Sequence, residues 1–175
     1  MQTLSTPIQL KKIIPPWFSF LFLFLMLLSS VAYKEIEYVL AQEQKQNQTA
    51  LVSVGGAKIM AILSTTPDSQ SKGLAIKDYL NENEGMLFVF DSPQKYSFWM
   101  KDMKFPIDII WINSTGQIVH IEKNLPPCVL LLPCPSYAPN DNSMYVLEVV
   151  SNFTNKYDVS VGDPVNSDVI KKGQH

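Results

Sequence analysis

The chain has 175 residues, with 14 Lys and Arg against 16 Asp and Glu, a formal charge of −2. That length suits one domain with a real core and an N-terminal appendage. Charged residues make up 17% of the chain, below the usual quarter. No basic stripe is present to neutralise phosphates, so no nucleic-acid partner is expected.

Lys11 and Lys12 precede Ile13-Ile14-Pro15-Pro16 and a run from Trp17 to Leu28 in which only Ser19 is polar. A basic start before an apolar run is the pattern of a signal peptide or signal anchor, so residues 1–33 form a predicted N-terminal hydrophobic helix. The positive flank stays in the cytoplasm and sends the rest outside. The pure run is shorter than the roughly 20 residues that cross a bilayer; counting from Ile13 to Val31 makes a span. Two outcomes stay open. Residues 13–33 anchor the chain at the outer face of the membrane, or cleavage after the small residues Ser30-Val31-Ala32 releases it. No helix breaker separates the run from that cut, which favours the anchor. Residues 34–49, rich in Gln and Glu, read as a polar linker, partly helical where it leaves the membrane.

From residue 50 to 172 the pattern is that of one compact domain. Ala50–Val54 and Ala57–Leu63 flank Gly55-Gly56, a hairpin signal. Thr66 caps a short helix with Pro67 first and Asp68 at its positive end, and Gly73 stops it. Ile76–Leu80 reads as a short turn. Met86–Phe90, Tyr96–Met100, Ile107–Ile112 and Gln117–Glu122 follow as four short strands. If Asn113-Ser114-Thr115-Gly116 closes a hairpin, Ile112 faces Gln117, Trp111 faces Ile118 and Ile109 faces His120. Both faces of that hairpin are largely apolar, which predicts a place mid-sheet. Lys123–Asn142 is a long proline-rich loop. Met144–Val150 returns to strand, Asn152–Tyr157 to a helical turn and Val165–Ile170 to a closing strand. Short strands spaced by turns predict a mainly β fold, a sandwich or barrel-like domain with one or two short helices.

The elements KGLAIKDYLNENEGMLFVF, YSFWMKDMKFPIDIIWI, GQIVHIEKNLPPC, CPSYAP, YVLEV and VGD occur in that order. Together they resemble the uncharacterised family called domain of unknown function 192, over about residues 55–170. The resemblance implies one β-rich domain behind a signal or anchor segment, with no settled activity. Its marked positions fall on Gly85, Met86, Phe98, Trp99, Met100, Lys101, Pro106, Asp108, Cys128, Cys134, Tyr137, Glu148, Gly162 and Asp163. The chain departs from the pattern at Val129-Leu130-Leu131-Leu132-Pro133, an apolar tip where polar residues are expected.

Outside the cytoplasm, Cys128 and Cys134 favour a disulfide, worth ~2 kcal/mol by loop closure. The alternative is a metal pair, for which the domain offers His120 alone among histidines, so no zinc site and no cofactor are expected. A soft copper(I) site of Met100, Met103, His120 and the thiols is the remaining metal reading; methionines beside Trp99 and Phe105 are more often core filler. No G-x-S-x-G elbow or phosphate loop occurs. Asp102, Asp108, Glu122 and Glu148 lie on or near strands, and two converging would run an acid–base glycoside hydrolase; most such carboxylates instead pair with lysines or cap turns. In a strand, Phe98 and Met100 point one way, Trp99 and Lys101 the other. An exposed indole beside an ammonium contacts sugars, peptides or headgroups; in the other reading Trp99 is buried and Lys101 pairs with Asp108. The candidate binding surface is Trp99, Lys101, Asp108 and the loop Pro126–Pro139, with Tyr137 and Glu148 added from the positions the resemblance marks. Asn47, Asn113 and Asn152 head glycosylation sequons. The combined expectation is an extracytoplasmic, non-catalytic binding module for an unknown small molecule, glycan or protein. A paired-carboxylate hydrolase and a copper-handling domain are the alternatives.

Overall fold

A computed structural model describes residues 31–41, 48–128 and 133–173. Residues 31–41 form a helix with every side chain exposed, part of a unit, Met1–Glu43, distinct from the body, Gln44–His175. The apolar run over 13–30, Asn47 and the tip Val129–Leu132 lie outside the described residues. Among the described residues no helix is long and apolar enough to cross a membrane.

The body is mainly β. Strands β1 (Thr49–Val54) and β2 (Ala57–Ser64) form the expected hairpin. Gly55 and Gly56 have φ of 56° and 78°, the positive values that a two-residue turn demands and glycine supplies without steric cost. Next comes α1 (Pro67–Lys72), closed by a capping box. The Ser69 backbone N–H donates to Thr66 Oγ1 at 3.2 Å, and the Thr66 N–H to Ser69 Oγ at 3.1 Å. A 3-10 turn over Gly73–Ile76 follows. The remaining strands are β3 (Glu84–Gln94), β4 (Phe98–Trp99), β5 (Ile107–Ile112), β6 (Ile118–Leu125), β7 (Ser136–Tyr137) and β8 (Ser143–Val150), with helices α2 (Phe153–Lys156) and α3 (Asp168–Lys172) at the end.

The expected sandwich or barrel takes a simpler form. One six-stranded sheet has the order β1-β2-β3-β8-β5-β6, and a separate two-stranded ribbon pairs β4 with β7. The large sheet is mixed: β2 and β3 run parallel, its other pairs antiparallel. Parallel neighbours need a crossover connection, and here α1 and the 3-10 turn supply it. Both faces of the sheet are packed. Val52, Ile59, Leu87, Ile110 and Leu147 meet Phe153, Val165 and Ile170 of the C-terminal segment. On the opposite face Phe88, Ile109, Trp111 and Val146 meet Leu74, Leu80 and Met100. All of β5 is buried, as a central strand coated on both faces should be.

Several expectations are corrected. The β5–β6 hairpin is not mid-sheet as a unit, because β6 is an edge strand. Its start is sheltered by the C-terminal chain: the Ile118 N–H donates to Asp163 O at 3.0 Å, and the Gly162 N–H to Ile118 O at 2.8 Å. A few residues on, Asn166 exchanges hydrogen bonds of 2.8 and 2.9 Å with Ser53 of β1. One short stretch thus satisfies backbone at both edges without closing a barrel. The hairpin register also differs. Trp111 faces His120, Ile112 faces Ile118 and Ile109 faces Glu122, with irregularities at both ends of the ladder. Each bulge slips the register by one residue and exchanges faces. Tyr96–Met100 shrinks to the two residues of β4. Val165–Ile170 is not a strand; Ser167 caps α3 by accepting from the Val169 N–H at 3.2 Å, and Asp168 opens its first turn.

Candidate functional site

The crossover lays α1 and the 3-10 turn over the β3–β8 region, on the face that also receives the β4–β7 ribbon. Between them is a cleft of about 250 Å³, lined by Gln70, Ser71, Lys72, Gly73 and Leu74 from one side, by Ser97, Phe98, Trp99, Lys101 and Met103 from the other, and by Phe88 and Glu148 from the sheet. A second groove of about 380 Å³ shares Ser71, Lys72, Trp99 and Lys101 with it and adds Ala75, Ile76 and Asp102.

The two walls follow from strand alternation. Phe98 packs inward, edge-on to Phe88 at 4.8 Å and to Trp111 at 5.9 Å. Met100, two residues on, is buried. Trp99 therefore points out and is 55% exposed, with the Lys101 ammonium 5.5 Å from its ring centre. Of the two readings of this segment, the exposed indole is the one realised. Lys101 has no carboxylate partner among the described residues. Lys72, by contrast, is held by Asp68 at 2.8 Å.

Glu148 sits on β8, opposite Met86 and Ile109 in the middle of the sheet. Its side chain is buried and its Oε2 has no hydrogen-bond partner among the described residues. Burial pushes its carboxyl up to about 8, only partly offset by the Leu74 backbone N–H. At neutral pH it is a carboxylic acid, able to donate as well as accept. Gly73 lies against it. Gly73 has φ 52° and ψ −148°, a region close to glycine's own, and a side chain there would begin 3.6 Å from Glu148 Oε2.

Asp108 does not join this cleft. It is fully buried on the opposite face, where its Oδ1 accepts from the Asn124 and Asn152 N–H groups at 2.8 and 3.2 Å, and its Oδ2 from the Thr154 N–H and hydroxyl at 2.9 and 2.6 Å. Asn124 and Asn152 have φ of 54° and 68°, so Asp108 fastens two tight bends, a structural duty. Tyr137 pairs with Phe98 across the ribbon and backs the apolar cluster behind the cleft. The metal reading loses its thiols, because Cys128 and Cys134 are joined by a disulfide. Met100 is packed in the apolar cluster, and Met103 lines the cleft. His120 instead meets Glu122 at 3.2 Å and the Trp111 ring at 5.3 Å. Among the described residues no three His, Cys, Asp or Glu side chains gather where they could hold a metal. Of the sequons, Asn113 turns its Oδ1 inward to the Thr115 and Gln117 N–H groups. Asn152 opens α2, and the Thr154 hydroxyl of its sequon is spent on Asp108.

The crossover residues Gln70, Ser71, Lys72 and Gly73 were not legible as site residues. The one signal was a glycine ending a capped helix of barely two turns, a sign of close backbone approach as much as of a helix stop.

The fold has solved counterparts. A Sinorhizobium meliloti protein described as a putative transcription regulator is 24% identical, with a TM-score of 0.64 over 70% of this chain and 95% of its own. A protein of unknown function from Novosphingobium aromaticivorans is 24% identical, with a TM-score of 0.60 over 67% of this chain and 82% of its own. No curated protein matches. The model of the DUF192 family, described as an uncharacterized ACR, matches residues 50–167. Spanning most of the chain and nearly all of the large sheet, that match makes the protein a member of the DUF192 family.

Proposed function

We propose that the body is a non-catalytic, extracytoplasmic binding module whose ligand enters the cleft between Trp99, Lys101 and Glu148, with residues 13–33 as membrane anchor or cleaved signal. One observation carries the reading: a buried carboxyl with an orphan oxygen lines an open cleft. Buried polar groups are almost always satisfied, and leaving one bare costs about 1–3 kcal/mol. A ligand that supplies the missing partner recovers that cost. The exposed indole beside an ammonium with no carboxylate partner among the described residues is the amphipathic surface such a ligand needs. Export rests on the basic, apolar leader and agrees with a disulfide-bonded body.

The test is a thermal-shift screen of the full chain across metals, glycans and peptides, since a ligand for the native state raises its midpoint. A hit lost in both Trp99→Ala and Glu148→Leu supports the cleft; hits untouched by both variants sink it. A hydrolase is the second reading, favoured by the raised titration of Glu148, which suits a general acid. Asp102, in the adjoining groove, is then the second carboxyl. Turnover of a glycoside that stops in both Glu148→Gln and Asp102→Asn would replace the binding module with that enzyme.

A further inference from the structure

We propose that the cleft takes a sugar acid, with its ring on the Trp99 indole, its carboxylate on the Lys101 ammonium and a ring hydroxyl on the Glu148 carboxyl. The inference rests on the cleft being the ligand site. An indole exposed beside a polar cleft stacks on an apolar, C–H-rich face, which a pyranose offers and an extended peptide offers poorly. Lys101 is the lysine of this cleft without a carboxylate partner among the described residues. An anion there gains a charge-assisted hydrogen bond with no existing ion pair to break. Glu148 needs a partner that both gives and accepts hydrogen bonds, as a hydroxyl does. The terminal torsion of a glutamate is soft, so either oxygen can turn toward the cleft.

Charge agrees with this choice. With its carboxyl pushed up to about 8, Glu148 is neutral at pH 7 and does not repel an anion. A cationic ligand would meet Lys101 and Lys72 together. Size agrees too. The cleft, about 250 Å³, lies below the roughly 300–1,000 Å³ of pockets for drug-sized ligands, room for one ring. The adjoining groove shares Trp99 and Lys101 and gives space to whatever the ring is attached to. The shared chemistry, a pyranose carboxylate, can come from a free sugar acid or from a uronate unit of a polysaccharide.

Calorimetric titration of the full chain in detergent tests this, with glucuronate, galacturonate, glucose, galactose and a trigalacturonate as probes. The expected result is that the uronates bind at least about tenfold more tightly than the neutral sugars, the worth of one charged hydrogen bond. Lys101→Met should erase that preference. Glu148→Leu and Trp99→Ala should abolish binding, and Glu148→Gln, which keeps a donor and an acceptor, should retain most of it. Tighter trigalacturonate identifies a polysaccharide unit; equal or weaker binding identifies the free acid. Absence of uronate binding, neutral sugars binding equally well, or a preference surviving in Lys101→Met overturns the sugar-acid proposal. The cleft reading then stands or falls on whether another ligand class is lost in Glu148→Leu. Uronate binding unchanged in both Trp99→Ala and Glu148→Leu overturns both.

Discussion

Asp108 and Glu148 lie on neighbouring central strands, and both are buried. They point to opposite faces of one sheet and could hardly be treated more differently. Asp108 collects four hydrogen bonds from three residues. Glu148 has an oxygen with none. Burial is therefore a poor guide to a carboxylate's role, and satisfaction is a better one. A fully satisfied carboxylate holds the fold together. An under-satisfied one, lining a cleft, marks where the fold gives up stability to present a chemical group.

The sharpest way to break this contrast is to remove Asp108. Asp108→Ala leaves buried donors bare and frees two bends with positive φ, so we expect a loss of about 4 kcal/mol, visible as a greatly reduced denaturation midpoint. A loss under ~1 kcal/mol would mean that the two carboxylates do not differ in the way argued.

Glu148 should behave in the opposite sense. In the unfolded chain its carboxyl titrates near the ordinary glutamate value of 4.5, and in the folded chain burial pushes it up to about 8. Between those values the folded state holds a proton that the unfolded state has lost. Glu148 therefore lowers stability as pH rises through that window, and its penalty is complete above it. Glu148→Gln should have little effect near pH 5 and stabilise the protein by about 4 kcal/mol by pH 8, at ~1.4 kcal/mol per unit. Urea denaturation across that range measures it; a gain independent of pH would contradict a buried, titrating acid.

The disulfide sharpens the contrast between the faces. Cys128 packs on the Glu148 side, and its N–H donates to the Met100 carbonyl at 3.0 Å. Replacing both cysteines by serine should cost about 2 kcal/mol. Faster amide exchange should appear around β4 and β7, while amides held by Asp108 stay protected. The smallest effect belongs to Trp99→Ala. An exposed indole without hydrogen bonds among the described residues should change stability by under ~0.5 kcal/mol while removing ligand binding. A large destabilisation would make Trp99 a packing residue.

Local chemistry was readable along the chain. The Gly55-Gly56 hairpin, the Thr66 cap and the alternation that turns Phe98 in and Trp99 out all stand in the structure, because each depends on residues within a few positions of one another. Trp99, Lys101 and Glu148 were named from the sequence and do meet at one cleft. Asp108 was named with them and does not, because alternation tells which residues share a face only within one strand. It does not say which face of one strand lies beside which face of the next.

What the sequence by itself determined were the Gly55-Gly56 hairpin, the Thr66 cap, the approximate places of the long strands and the alternation that turns Phe98 in and Trp99 out. Only the tertiary structure decided that β8 inserts between β3 and β5, that β2 and β3 run parallel, and that Gly73 arrives over Glu148 from 75 positions away. The reason is that side-chain periodicity records a residue's own surroundings, whereas strand order and register are settled by the packing of both faces at once and by hydrogen bonds such as those that Asp108 makes to distant bends.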